Sequence, residues 1–92
     1  MFLEIVTPEQ IVFNAEITSV AVPGIDGEFQ MLNDHAPVIS LLVAGSIKID
    51  AANLTEDNTK VLEKNTEDNR WVYKIKGGVI EVKNNKVIVL AD

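Results

Sequence analysis

Gly77-Gly78-Val79-Ile80-Glu81-Val82-Lys83-Asn84-Asn85-Lys86-Val87-Ile88-Val89-Leu90 decides the fold class. Two β-branched runs flank a polar shoulder, and Asn84-Asn85 stands where a two-residue hairpin turn requires positive φ. Asparagine tolerates that conformation better than most residues that carry a Cβ. The spacing therefore predicts a hairpin, Val79–Val82 against Val87–Leu90, with lysines at both shoulders keeping its tip solvated. Gly77-Gly78 predicts a bend or bulge where a side chain would obstruct close backbone approach.

Working outward, the dominant period of the chain remains two. Phe2–Val6 is an apolar run broken by Thr7-Pro8-Glu9 and resumed over Gln10–Phe13. Asn14-Ala15-Glu16 has turn composition, and Ile17–Val22 reads as a β-branched strand. Val38–Val43 is followed by Ala44-Gly45 and by the clean alternation of Ser46–Asp50. Trp71, Tyr73 and Ile75 share one strand face, with Lys74 and Lys76 on the other. Many short strands and no sustained helical period indicate an all-β sandwich or barrel. Residues 51–70 form a polar stretch with Thr-Glu-Asp-Asn at Thr55–Asn58 and again at Thr66–Asn69. It reads as a long hairpin excursion in which Lys60-Val61-Leu62 pairs with the Trp71 strand, or as an acidic contact surface.

Ninety-two residues make a single domain, 1–92, because a second core could not be filled from this much chain. A net charge of −6 disfavours sequence-independent nucleic-acid binding and direct adsorption to anionic lipid. There are no cysteines, hence neither a disulfide framework nor a thiolate metal site. No apolar run approaches the roughly 20 residues of a membrane span. Met1-Phe2-Leu3-Glu4 has no basic segment leading into an apolar stretch, so a soluble cytoplasmic protein is expected, meeting membranes only through a partner.

The chemistry-bearing residues concentrate in Val22–Ser40, a loop-rich stretch holding the single histidine. Asp34, His35 and Ser40 invite a catalytic-triad reading. The side chains of adjacent Asp34 and His35 diverge on an extended chain, however, and no nucleophile elbow is present. Asp26-Gly27-Glu28 lacks the further acids a calcium loop needs, and a tight turn at Gly24–Gly27 explains it with less. No glycine-rich phosphate cradle with a following lysine occurs. His35, flanked by Ala36-Pro37, suits either a backbone-bonded loop anchor or a partner contact. Glu28 with Phe29 and Met31 offers the mixture of polar specificity and apolar area found at protein interfaces; the alternative turns Phe29 inward. These readings favour binding over catalysis, with no catalytic residue, metal or cofactor expected.

Taken in order, several segments resemble the N-terminal domain of the epsilon subunit of bacterial F-type ATP synthases (delta in mitochondria). They are Leu3–Glu9, Val22-Pro23-Gly24 through Gly27-Glu28-Phe29, His35-Ala36-Pro37, Gly77–Val82 and Val87–Asp92. The resemblance covers nearly all of the chain outside 51–70. It implies a sandwich of two five-stranded sheets in a non-catalytic central-stalk rotor subunit that links gamma to the c-ring and couples proton flow to ATP synthesis. It also implies peripheral attachment at the cytoplasmic face of the bacterial plasma membrane, with no small-molecule substrate. Carried over residue by residue, Glu28 and Phe29 are expected to face the c-ring and Thr7, His35 and Ser40 to lie near gamma, and one apolar sheet face with the Glu28 loop is expected to bind gamma and the c-ring. The alternative is a stand-alone acidic β-sandwich adaptor for a basic protein.

Some positions depart from the family pattern. Gln30 stands where glycine is usual, and Asn33-Asp34 replaces Pro-Gly before His35, both altering backbone freedom. Residues 51–70 exceed the usual hairpin. The sequence reaches Asp92 where the family's C-terminal helical hairpin would begin, so that hairpin's inhibitory switch and ATP binding are not carried over.

Overall fold

The computed structural model describes residues 1–65 and 67–92. Its strands are β1 (Phe2–Val6), β2 (Ile11–Glu16), β3 (Ser19–Gly24), β4 (Gly27–Met31), β5 (Val38–Leu42), β6 (Gly45–Asp50), β7 (Glu63–Lys64), β8 (Trp71–Ile75), β9 (Gly78–Lys83) and β10 (Lys86–Ala91), with one short helix, α1 (Glu56–Thr59). They lie in two five-stranded layers, β2-β1-β10-β9-β5 and β4-β3-β6-β8-β7. The layers join where Gly24 pairs with Leu42 and the Val43 amide donates to the Pro23 carbonyl at 2.9 Å. Between β5 and β6 the chain passes from the first sheet to the second. All neighbours are antiparallel except β1 and β10.

Alternation fills the interior. Leu3, Ile5, Ile80, Val82, Val87 and Val89 from the first sheet meet Val20, Val22, Met31, Ile47 and Ile49 from the second, all fully buried. The β9–β10 hairpin forms as the sequence predicts. Asn84 and Asn85 have φ of 53° and 60°, and Lys83 pairs with Lys86. Gly78 is required because a Cβ there would overlap the Leu90 carbonyl oxygen of the paired strand.

Two local expectations are corrected. Asn14-Ala15-Glu16 is not a turn: β2 runs through Glu16, pairing Asn14 with Glu4 and Glu16 with Phe2. Its polar composition reflects an edge strand whose outward residues are exposed. Pairing with β8 starts at Glu63, not Lys60, because α1 and the Leu62 amide bond to the Thr59 carbonyl (3.0 Å) occupy the preceding residues.

Residues 51–70 are tied to the sandwich. Leu62 is buried in the core and Leu54 packs against it. Thr55 and Asn58 form a reciprocal capping box on α1. The Asn58 amide donates to the Asn14 carbonyl at 3.0 Å, covering part of the outer edge of β2. Thr66, first residue of the second Thr-Glu-Asp-Asn copy, lies outside the described residues.

Candidate protein-interaction site

Register brings together side chains that are far apart in sequence. Ile11 opposes Val6, Val6 opposes Leu90, Leu90 opposes Val79, and Val79 opposes Leu41. All five point away from the core, so one apolar row crosses the whole first sheet. At strand spacing of about 4.8 Å it is roughly 19 Å long. Ile11, Leu41 and Leu90 are each more than half exposed, and Ile39, one row below, is 72% exposed. That second row reads Asn14, Glu4, Ile88, Glu81, Ile39, and the third carries Glu16, Phe2, Lys86 and Lys83. The first sheet thus grades from apolar, through acidic and apolar, to basic at the hairpin tip. Outward positions of the second sheet are mainly polar or small (Glu28, Gln30, Ala21, Ser46, Lys48, Asp50, Lys74), with Pro23 and Val72 the apolar exceptions among those paired. Contiguous apolar surface of this kind on a small domain marks an interaction site.

The residues singled out from sequence fall around this face in three places. Thr7 caps the end of β1, its amide and hydroxyl both donating to the Gln10 carbonyl (2.9 and 3.2 Å). It lines a groove of about 520 Å³ with Val6, Pro8, Val79, Leu90 and Asp92, alongside the middle of the apolar row.

Ser40 lies on the inward parity of β5 and borders a pocket with the Gly24–Phe29 turn, which carries Glu28. The Phe29 ring is half-buried against the core over Gly24, where a Cβ would stand 2.7 Å from it. Phe29 therefore takes the inward alternative. Glu28 is exposed, and its Oε1 lies 2.9 Å from Lys48 Nζ.

His35 sits at the opposite end of the sheet, its Nδ1 2.7 Å from the Ala36 carbonyl. Asp34 occupies the usual glycine position with φ of 60°, and its amide donates to Asn85 Oδ1 at 2.8 Å. The left-handed turn survives the substitution, pinned to the β9–β10 hairpin. Asn33 Oδ1 accepts from the Met1 ammonium at 2.9 Å, and Gln30 Nε2 donates to Ser19 Oγ at 3.3 Å.

Asp34, His35 and Ser40 are not joined in a chain of hydrogen bonds. His35 contacts Ala36, the Ser40 hydroxyl donates to the Leu41 carbonyl (3.4 Å), and Asp34 meets Asn85 through its backbone. Among the described residues no group of three or more His, Asp or Glu could hold a metal ion. Nor, among them, is any helix long and apolar enough to cross a membrane. The Asp68 carboxyl is held below its ordinary value, chiefly by the Arg70 side chain, with Nε 2.7 Å from Oδ2. The contribution of this pair is present above the ordinary Asp range and is lost as pH falls through the lowered value; exposure keeps it small.

Sequence reasoning expected an apolar sheet face but did not name Ile11, Ile39, Leu41, Val79 and Leu90. The available signal was an excess: Val38–Val43 and Val87–Leu90 are apolar at both parities, as in strands covered on both faces.

A family model described as "ATP synthase, Delta/Epsilon chain, beta-sandwich domain" matches residues 1–92. The chain is 36% identical over 90 residues to the ATP synthase epsilon chain of Chlorobium limicola, covering 98% of this chain and 86% of that one. It is 38% identical over 92 residues to that of Campylobacter curvus, spanning all of this chain and 60% of the relative. Among solved structures, the fold matches a chain in the Tetrahymena thermophila mitochondrial ATP synthase central stalk/c-ring. The TM-score is 0.76 at 14% identity, covering 99% of this chain and 62% of that one. A chain in the Euglena gracilis mitochondrial enzyme matches with a TM-score of 0.72 at 16% identity, covering 97% and 48%.

Proposed function

We propose, from the premise that this chain belongs to the ATP synthase delta/epsilon β-sandwich family, that it is a non-catalytic central-stalk subunit joining gamma to the c-ring. In this role it couples proton flow to ATP synthesis through shape and surface contact, at the cytoplasmic face of the bacterial plasma membrane. The observation that carries the reading is the apolar row Ile11–Val6–Leu90–Val79–Leu41 on one sheet, with mainly polar or small positions on the outside of the other. A rotor part must transmit torque without shearing, which suits a closely packed sandwich docked by one apolar face. The row would seat gamma, with Thr7 alongside its middle and Ser40 and His35 at the margins of the sheet. The Gly24–Phe29 turn, carrying Glu28, would meet the polar loops of the c-ring, with Phe29 supporting the turn from beneath.

Size-exclusion chromatography of the chain with purified gamma tests this first. A one-to-one complex is expected at micromolar concentrations. Separate elution at tens of micromolar would leave the row without its partner and remove the main support for the stalk assignment.

A further inference from the structure

One ion pair links strands that are not neighbours. Lys48 lies on β6 and Glu28 on β4, with β3 running between them, and their 2.9 Å contact crosses its outer face. In register, Ala21 of β3 stands between Lys48 and Gln30, and Pro23 opposes Glu28. Ala21 faces outward yet is 2% exposed, covered by the longer side chains around it. A bulky residue at 21 would occupy the lane between them; alanine leaves it open. Beside this link, Gln30 reaches Ser19 at 3.3 Å, so β4 is held to its neighbours by side chains as well as by its ladder. Glu28 follows Gly27, whose φ of +117° sets the turn, and its side chain is 46% exposed. Among the described residues only Oε1 is engaged in an ion pair.

We infer that Lys48 is a positioning residue for Glu28, and that a partner reads the two as one bipolar unit. The ammonium holds the carboxylate over the face of the second sheet through Oε1, leaving Oε2 for whatever docks there. Such a unit fits a polar loop offering a guanidinium or ammonium to the carboxylate and an oxygen acceptor to Lys48. This inference rests on the reading that the Glu28 turn meets the c-ring, and it adds a residue 20 positions away that sequence alone does not connect with Glu28.

The test measures affinity of the chain for the purified c-ring carrying gamma, using wild type, E28Q, K48Q, K48R and E28Q/K48Q. Affinity for gamma alone is measured alongside. E28Q and K48Q are each expected to weaken ring binding about three- to tenfold, K48R to stay within about twofold, and the double variant to be no weaker than the weaker single one. Affinity for gamma alone should be unchanged throughout. If E28Q weakens binding and K48Q does not, the inference fails while the c-ring reading stands. Additive losses also overturn it, since Lys48 would then act independently of Glu28. If neither single variant matters, Glu28 has no role at the ring and both readings fall.

Discussion

Leu41→Asp is expected to lower affinity for gamma by at least about 30-fold, while thermal stability of the free chain stays within a few degrees of wild type. Leu41 is 59% exposed, so the free protein loses little when it is replaced. In the complex it would lie near one end of the apolar row and be covered. A carboxylate there must be desolvated without a partner, which costs about 2 kcal/mol or more, about 30-fold in affinity. Lys74→Asp, on the outer face of the second sheet, is the control and should change affinity less than about twofold. Titration calorimetry with differential scanning on the same samples separates the two effects. Equal losses from both substitutions would mean that charge, not the row, governs association.

Gly78→Ala carries the largest expected effect on the fold itself. The added methyl would run into the Leu90 carbonyl oxygen and the Ala91 Cα. These are backbone atoms of β10, and they cannot yield without disturbing the Leu90–Val79 and Ala91–Gly78 pairs. Overpacking of this kind costs about 2–3 kcal/mol. For a domain this small each kcal/mol lowers Tm by about 4–8 °C, so a fall of roughly 10–20 °C is expected in a thermal melt. Because β9 and β10 supply two of the five residues in the row, the variant should also bind gamma less well. A melt unchanged within about 2 °C would show that the strands part at no cost and that the Gly77-Gly78 bend has another purpose.

How far the sequence discloses this molecule depends on how local each determinant is. The β9–β10 hairpin is legible to its turn because period-two hydrophobicity and the positive-φ tolerance of Asn84 and Asn85 are properties of adjacent residues. The strand over Asn14–Glu16 is not legible. An edge strand with solvated outward positions has the composition of a turn, and only its pairing with β1 gives it structure. Residues 51–70 likewise read as a polar excursion, since Leu54 and Leu62 are too few to form a periodic signal, yet these two attach the segment to the core. At Asp34 the substitution for glycine suggests altered geometry. The structure retains the turn, because aspartate tolerates positive φ and Asn85 accepts its amide.

The candidate site divides in the same way. The Gly24–Phe29 turn and the His35 loop stand out in sequence as clusters of unusual residues. The row from Ile11 to Leu41 does not, because it depends on the parallel pairing of β1 with β10 and on registers fixed only when five strands assemble. Glu28 and Lys48 are likewise joined by strand order, with a third strand between them.

The absence of cysteine from the chain makes the decisive measurement clean. Leu41→Cys and Lys74→Cys place a single thiol on the outer face of the first or the second sheet, and a maleimide reports its accessibility. Both thiols should react readily in the free chain. On addition of gamma, alkylation at position 41 is expected to slow by at least about tenfold, with position 74 unchanged. Protection at position 74 with position 41 still open, or equal rates at both in a demonstrated complex, would contradict docking through the apolar row.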